Sequence, residues 1–110
     1  MNKSNKSITF KGQPLAVSGT ELHVGDALPT FKLVTPAMQE IGKDTFAGKI
    51  LVICSVPSID TPVCATEVKR FNEMAAKLSD DVAILVVSRD LPFAQSRWCG
   101  AEGIEAVKTA

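Results

Sequence analysis

Two unbroken apolar runs, residues 50–56 and 82–87, bracket one amphipathic stretch, and that pattern constrains the fold more than any other feature. Ile50-Leu51-Val52-Ile53-Cys54-Ser55-Val56 is apolar at nearly every position, as a strand covered on both faces must be. Val82-Ala83-Ile84-Leu85-Val86-Val87 has the same character. Between them Val68, Phe71, Ala75 and Leu78 recur at steps of three, four and three, while Lys69, Arg70, Glu73 and Lys77 fall on the other side. Ser79-Asp80-Asp81 ends that helix. Strand, helix and strand within residues 50–87 predict a right-handed βαβ unit with a parallel pair, so the fold class is α/β.

The flanks are less regular. Residues 7–10 and 15–17 predict a hairpin around Lys11-Gly12-Gln13-Pro14, and residues 1–6 are expected to be disordered. A loop follows over 20–29, then short strands over 31–34 and 38–41, and a single helical turn over 44–48. Leu91-Pro92 introduces a short helix over 93–99, and a last, weakly helical stretch is expected to reach Ala110. At 110 residues, without repeats or linkers, the chain is expected to be a single domain over 1–110.

Charge and cysteine content narrow the function classes. Twelve basic residues balance twelve acidic ones, with no basic stripe for nucleic acid and no charge block for a membrane surface. No apolar run approaches the roughly 18 residues of a membrane span. The polar start, Met1-Asn2-Lys3-Ser4-Asn5-Lys6-Ser7, lacks the apolar centre of a secretory signal, so a cytoplasmic address is expected. Three cysteines, an odd and sparse number, are no secreted disulfide framework.

Cys64 is the exceptional thiol. Asp60 or Thr61 can cap the helix, and Pro62 suits its first position, where the missing N–H had no intrahelical partner. Cys64 then falls in the first turn, where unpaired N–H groups and the helix dipole favour negative charge. Taking a thiol from a pKa near 8.5 to near 6 requires roughly 3.4 kcal/mol. The dipole supplies about 0.3–1 kcal/mol and one charge-assisted hydroxyl bond about 1.5–3 kcal/mol. Those contributions suffice only at their upper ends, which makes a nearby cation important. Cys54, in the middle of an apolar strand, reads as inert packing. Zinc is disfavoured, because Cys64 and Cys99 lack a CxxC partner and the one histidine, His23, sits in a remote loop. Arg97 and Trp98 read first as solvation and packing of a helix end.

Two blocks carry a resemblance. Pro57-x-x-x-Thr61-x-x-Cys64, within Pro57-Ser58-Ile59-Asp60-Thr61, and the stretch from Asp90-Leu91-Pro92-Phe93-Ala94-Gln95-Ser96 through Arg97-Trp98-Cys99-Gly100 resemble the thiol peroxidases, the atypical two-cysteine branch of the peroxiredoxins. Gly25-Asp26-Ala27-Leu28-Pro29-Thr30-Phe31 extends the likeness toward the N-terminus. The resemblance implies a thioredoxin-like fold and reduction of hydrogen peroxide and organic hydroperoxides. It makes Cys64 the peroxidatic residue, Thr61 a hydrogen-bonding partner of thiolate and peroxide, and Pro57 a shield against water. Cys99 becomes the resolving residue, which forms a disulfide with oxidised Cys64. It also implies thioredoxin as reductant, a homodimer, and no metal, haem or flavin. A disulfide needs Cα atoms within about 7 Å, so the first turn around Cys64 and the segment 93–103 are expected to unravel on oxidation, eased by Gly100 and Gly103.

The family pattern continues past Ala110 with further strands, including a β-hairpin, and a closing helix. There it carries an arginine that helps activate the thiolate. Neither Arg89 nor Arg97 occupies that motif. The chain is therefore expected to be the N-terminal portion of the family domain, with the strand over 50–56 left as an uncovered apolar edge. Without that arginine the peroxidase activity is expected to be impaired, and two alternatives to a peroxidase are a redox sensor using Cys64 and Cys99, and a non-catalytic interaction module.

Overall fold

The computed structural model describes residues 3–110 and is built around a three-stranded sheet. Strand β5 (Ile50–Ser55) leads through helix α1 (Pro62–Ala75) to β6 (Val82–Val87), and the two strands pair in parallel from Ile50↔Val82 to Ser55↔Val87. The strand–helix–strand expectation is met, with the β6 boundaries as predicted. Side chains alternate across β6 as the pleat requires. Ile84 and Val86 join one cluster with Cys54, Val56, Ile59, Val68, Ile104 and Val107. Leu85 faces the opposite side, in a second cluster with Ile41, Phe46 and Ala110. Because both faces of β6 are covered, an unbroken apolar run is the sequence this strand requires.

Helix α1 turns Val68 fully inward, with Phe71 and Ala75 half-buried behind it. Leu78 departs from the expected stripe. The helix is capped at Ala76, so Leu78 lies beyond it and is exposed. Asn72, in the last full turn, accepts hydrogen bonds at Oδ1 from the N–H groups of Ala106 (2.8 Å) and Val107 (3.2 Å).

That anchor bears on the main correction to the fold. The residues before Ala110 are not helical: after α2 (Pro92–Glu102), strand β7 (Lys108–Thr109) pairs in parallel with β6, giving the order β5-β6-β7. The Ala110 N–H donates to the Val86 carbonyl at 3.0 Å, and the Ser88 N–H to the Ala110 carbonyl at 3.1 Å. A buried strand edge must find partners for its N–H and C=O groups, and Ala110 supplies both a donor and an acceptor to it. Helix α2 is also longer than the predicted 93–99. It ends at Gly103, whose φ of 66° is the left-handed conformation that closes helices.

The N-terminal region forms two small antiparallel pairs. β1 (Lys3–Phe10) and β2 (Gln13–Ser18) meet through Lys11 and Gly12, both at positive φ, as a tight two-residue hairpin turn demands. β1 therefore begins at Lys3, inside the stretch expected to be disordered, where Lys3 pairs with Ser18; residues 1 and 2 lie outside the described residues. β3 (Leu33–Val34) and β4 (Glu40–Ile41) are shorter than expected, and a 3-10 turn over Lys43–Phe46 inserts Phe46 into the second cluster. Among the described residues, no helix is long and apolar enough to cross a membrane.

Candidate active site

The sulfur of Cys64 is placed by the way α1 begins. Thr61 is the N-cap residue in an extended conformation, Pro62 takes the first helical position, and Cys64 is third. The Thr61 carbonyl accepts the first helical bond, from the Ala65 N–H at 2.8 Å. Its hydroxyl does not cap the helix; it donates backwards to the Ser58 carbonyl at 2.9 Å. Thr61 is thus committed as a donor and retains its oxygen lone pairs as acceptors. Cys64 is half-buried against the first core cluster, and Pro57 lies exposed in the bend after β5.

Residues 57–61 are held from across the fold by Asp90. Its carboxylate accepts from the Ser58 hydroxyl at 2.7 Å through Oδ1 and from the Ile59 N–H at 2.8 Å through Oδ2. Partial burial pushes this carboxyl up. The bonds from Ile59, Ser58 and Ser88 outweigh that effect and hold it below the usual carboxylate range. Ser88 and Gln95 fix Asp90 in turn. The Asp90 N–H donates to Ser88 Oγ at 3.3 Å, while Gln95 Nε2 donates to Ser88 Oγ and to the Asp90 carbonyl, both at 3.2 Å. Gln95 is 1% exposed, so the network is built into the protein rather than laid on its surface.

Cys99 lies in α2, half-buried, with its sulfur 3.9 Å from Thr109 Oγ1 on β7. Burial pushes its thiol up, and the Thr109 contact opposes this in part. Cys64 and Cys99 pack against the same core cluster, and both are free thiols. Lys69 on α1 and Glu102 at the end of α2 form a 3.0 Å ion pair between the two cysteine-bearing helices. A cleft of about 740 Å³ separates residues 58–60 from α2; Asp60, Leu91, Phe93, Arg97 and Trp98 are among its walls.

Cys54 is buried, as its sequence position suggested, yet it is not without polar contacts. Its Sγ donates to Glu67 Oε1 at 3.0 Å. Burial first, then the Glu67 bond and the nearby charges of Glu67 and Cys64, push its thiol up to about 11. Glu67 follows Cys64 by three positions on α1, so the two occupy neighbouring places on one face. His23 is exposed beside Asp26, and among the described residues no group of three or more metal-ligating side chains assembles.

Sequence reasoning singled out Pro57, Thr61, Cys64 and Cys99 but missed Ser58, Asp90, Gln95 and Glu67. A signal for Asp90 was available. An aspartate just ahead of Leu91-Pro92 suggests a cap for α2, but the cap residue is Leu91, and the carboxylate reaches across to residues 58–59 instead.

The profile of the AhpC/TSA family matches residues 24–107. A thiol peroxidase of Bacillus subtilis (strain 168) is 50% identical over 102 residues, covering 93% of this chain and 60% of the relative. One from Halalkalibacterium halodurans is 48% identical over 103 residues, covering 94% and 61%. The chain thus spans about 60% of the length of these relatives. A peroxiredoxin-like protein from Aquifex aeolicus superposes with a TM-score of 0.85 at 41% identity, covering all of this chain and 63% of the other. A thiol peroxidase from Chromobacterium violaceum shares the fold alone, with a TM-score of 0.80 at 19% identity, covering 96% and 61%. With its thioredoxin-like fold and its cysteine on the first turn of α1, the chain belongs to the AhpC/TSA family of peroxiredoxins.

Proposed function

We infer that the chain performs thiol-dependent reduction of hydroperoxides. The observation that supports this best is Cys64 as the third residue of α1, behind an N-cap whose hydroxyl keeps its acceptor lone pairs. The Cys64 thiolate attacks the terminal oxygen of hydrogen peroxide or an organic hydroperoxide. An S–O bond forms, the O–O bond breaks, and the departing alkoxide or hydroxide takes a proton, giving an alcohol or water and a sulfenic acid. Pro57 keeps water from the sulfur. The Cys99 thiol then displaces water from the sulfenic acid and leaves a Cys64–Cys99 disulfide. Thioredoxin, through its own dithiol, returns both sulfurs to thiols. The cycle uses no metal or organic cofactor and runs in the cytoplasm, in a homodimer.

Two features favour movement on the Cys99 side. The Cys99 thiol is held to β7 by one long contact, and α2 ends in a left-handed glycine. The test is peroxide consumption in the presence of thioredoxin, its reductase and NADPH. Sustained turnover is expected, with Cys64→Ser abolishing it and Cys99→Ser permitting a single oxidation per chain. Disulfide formation without turnover would assign a redox-sensing role instead. No reaction at Cys64 would leave an interaction module.

A further inference from the structure

We propose that Asp90 is a positioning residue for the attack of Cys64 on a hydroperoxide, acting through Ser58 on Thr61. This rests on the peroxidase reading above. Asp90 is 26 positions beyond Cys64 in the chain, yet its carboxylate fixes the turn from which α1 starts. Ser58 passes that constraint on. Its hydroxyl donates to Asp90 and accepts from the Asp60 N–H at 3.1 Å. Its carbonyl accepts from the Thr61 hydroxyl at 2.9 Å and from the Thr61 N–H at 3.4 Å. Four hydrogen bonds therefore run through Ser58, and the one proton of the Thr61 hydroxyl is spoken for.

The chemical consequence concerns direction. A hydroperoxide carries an O–H on the oxygen that the sulfur attacks, and that O–H needs an acceptor beside the thiolate. With its own proton directed at Ser58, Thr61 meets the substrate as an acceptor, through its oxygen lone pairs. Asp90 is fixed in turn by Ser88 and the fully buried Gln95, so the orientation is set before substrate arrives. An electrophile that offers carbon to the sulfur, such as iodoacetamide, makes no use of that acceptor. The two reagents therefore separate positioning of the peroxide from accessibility of the thiol.

The experiment uses the full chain carrying Cys99→Ser, which isolates the first step, with modification of Cys64 followed by stopped flow and mass spectrometry. Asp90→Asn turns one acceptor into a donor facing either the Ser58 hydroxyl or the Ile59 N–H. The rate constant with hydrogen peroxide is expected to fall about tenfold, and that with iodoacetamide to change by about twofold or less. Ser58→Ala should reproduce this split, and the double variant should be no slower than either single one. An equal fall with both reagents, an unchanged peroxide rate, or additive losses would overturn the proposal. If the unaltered Cys64 does not react with peroxide, the peroxidase reading itself fails. Amide exchange over residues 59–64 then tests the clasp alone: faster exchange in Asp90→Asn supports it, and unchanged exchange refutes it.

Discussion

The carboxylate of Asp90 is charged in the folded protein and bonded to groups more than thirty positions away in sequence, so its ionisation is coupled to folding. Its folded pKa is depressed. Its contribution to stability is therefore present above the unfolded value of about 3.9 and is lost as pH falls through the lower folded value. Urea denaturation at a series of pH values should show stability declining below about pH 4. Asp90→Asn should flatten that acid limb and lower stability at neutral pH by about 1.5–3 kcal/mol, the range for bonds to a charged group. Cys54 has the opposite sign. Its thiol is pushed up to about 11, by burial before all else, so its contribution is intact below the ordinary thiol range and is lost as pH rises toward that value. Stability should fall from about pH 8.5 upward, and Cys54→Ala should make this alkaline limb shallower, the remainder coming from the Cys99 thiol, which burial also pushes up. A variant that kept the full alkaline slope would show that Cys54 contributes nothing to it.

At the scale of elements, α1 and β6 were legible because each has one dominant period. The step of three and four placed Val68 and Phe71 on the inward face, and the unbroken run at residues 82–87 marked a strand covered on both sides. Val68 is fully buried between α1 and the sheet, so Val68→Ala should cost about 2 kcal/mol, read as a lower denaturation midpoint with an unchanged slope. The end of α1 and the nature of β7 were not legible. Leu78 continues the period arithmetically, but the helix closes at Ala76 and Asn72 turns to bind residues 106 and 107. Residues 104–110 carry no period strong enough to announce a strand. They form one because the edge of β6 offers unpaired backbone groups beside an apolar surface.

Across the whole molecule, the sheet order leaves β5 at an edge among the described residues, with Ile50 65% and Ile53 42% exposed. An edge strand that also presents apolar side chains is a template for pairing with another chain. The chain is expected to self-associate with rising concentration in sedimentation velocity, and Ile53→Lys is expected to shift the distribution toward the monomer. A monomer that persists at high concentration without the substitution would contradict this. The same topology brings the candidate site together. β6 ends at Val87, just ahead of Ser88 and Asp90, so the residues after this strand meet the turn after β5.

The sequence alone determined the α/β class, the strand–helix–strand unit and the place of Cys64 in the first turn of a helix. These follow from local period and from proline and threonine at a helix start, which need no distant partner to be read. Only the tertiary structure decided that Thr61 donates to Ser58, that Cys54 is bonded to Glu67, that β7 exists, and that Asp90 reaches the turn ahead of Cys64. Each of these is a hydrogen bond or a pairing whose donor and acceptor are set by geometry in space. Such partners are unmarked along the chain, because many nearby residues offer the same polar groups and only packing selects among them.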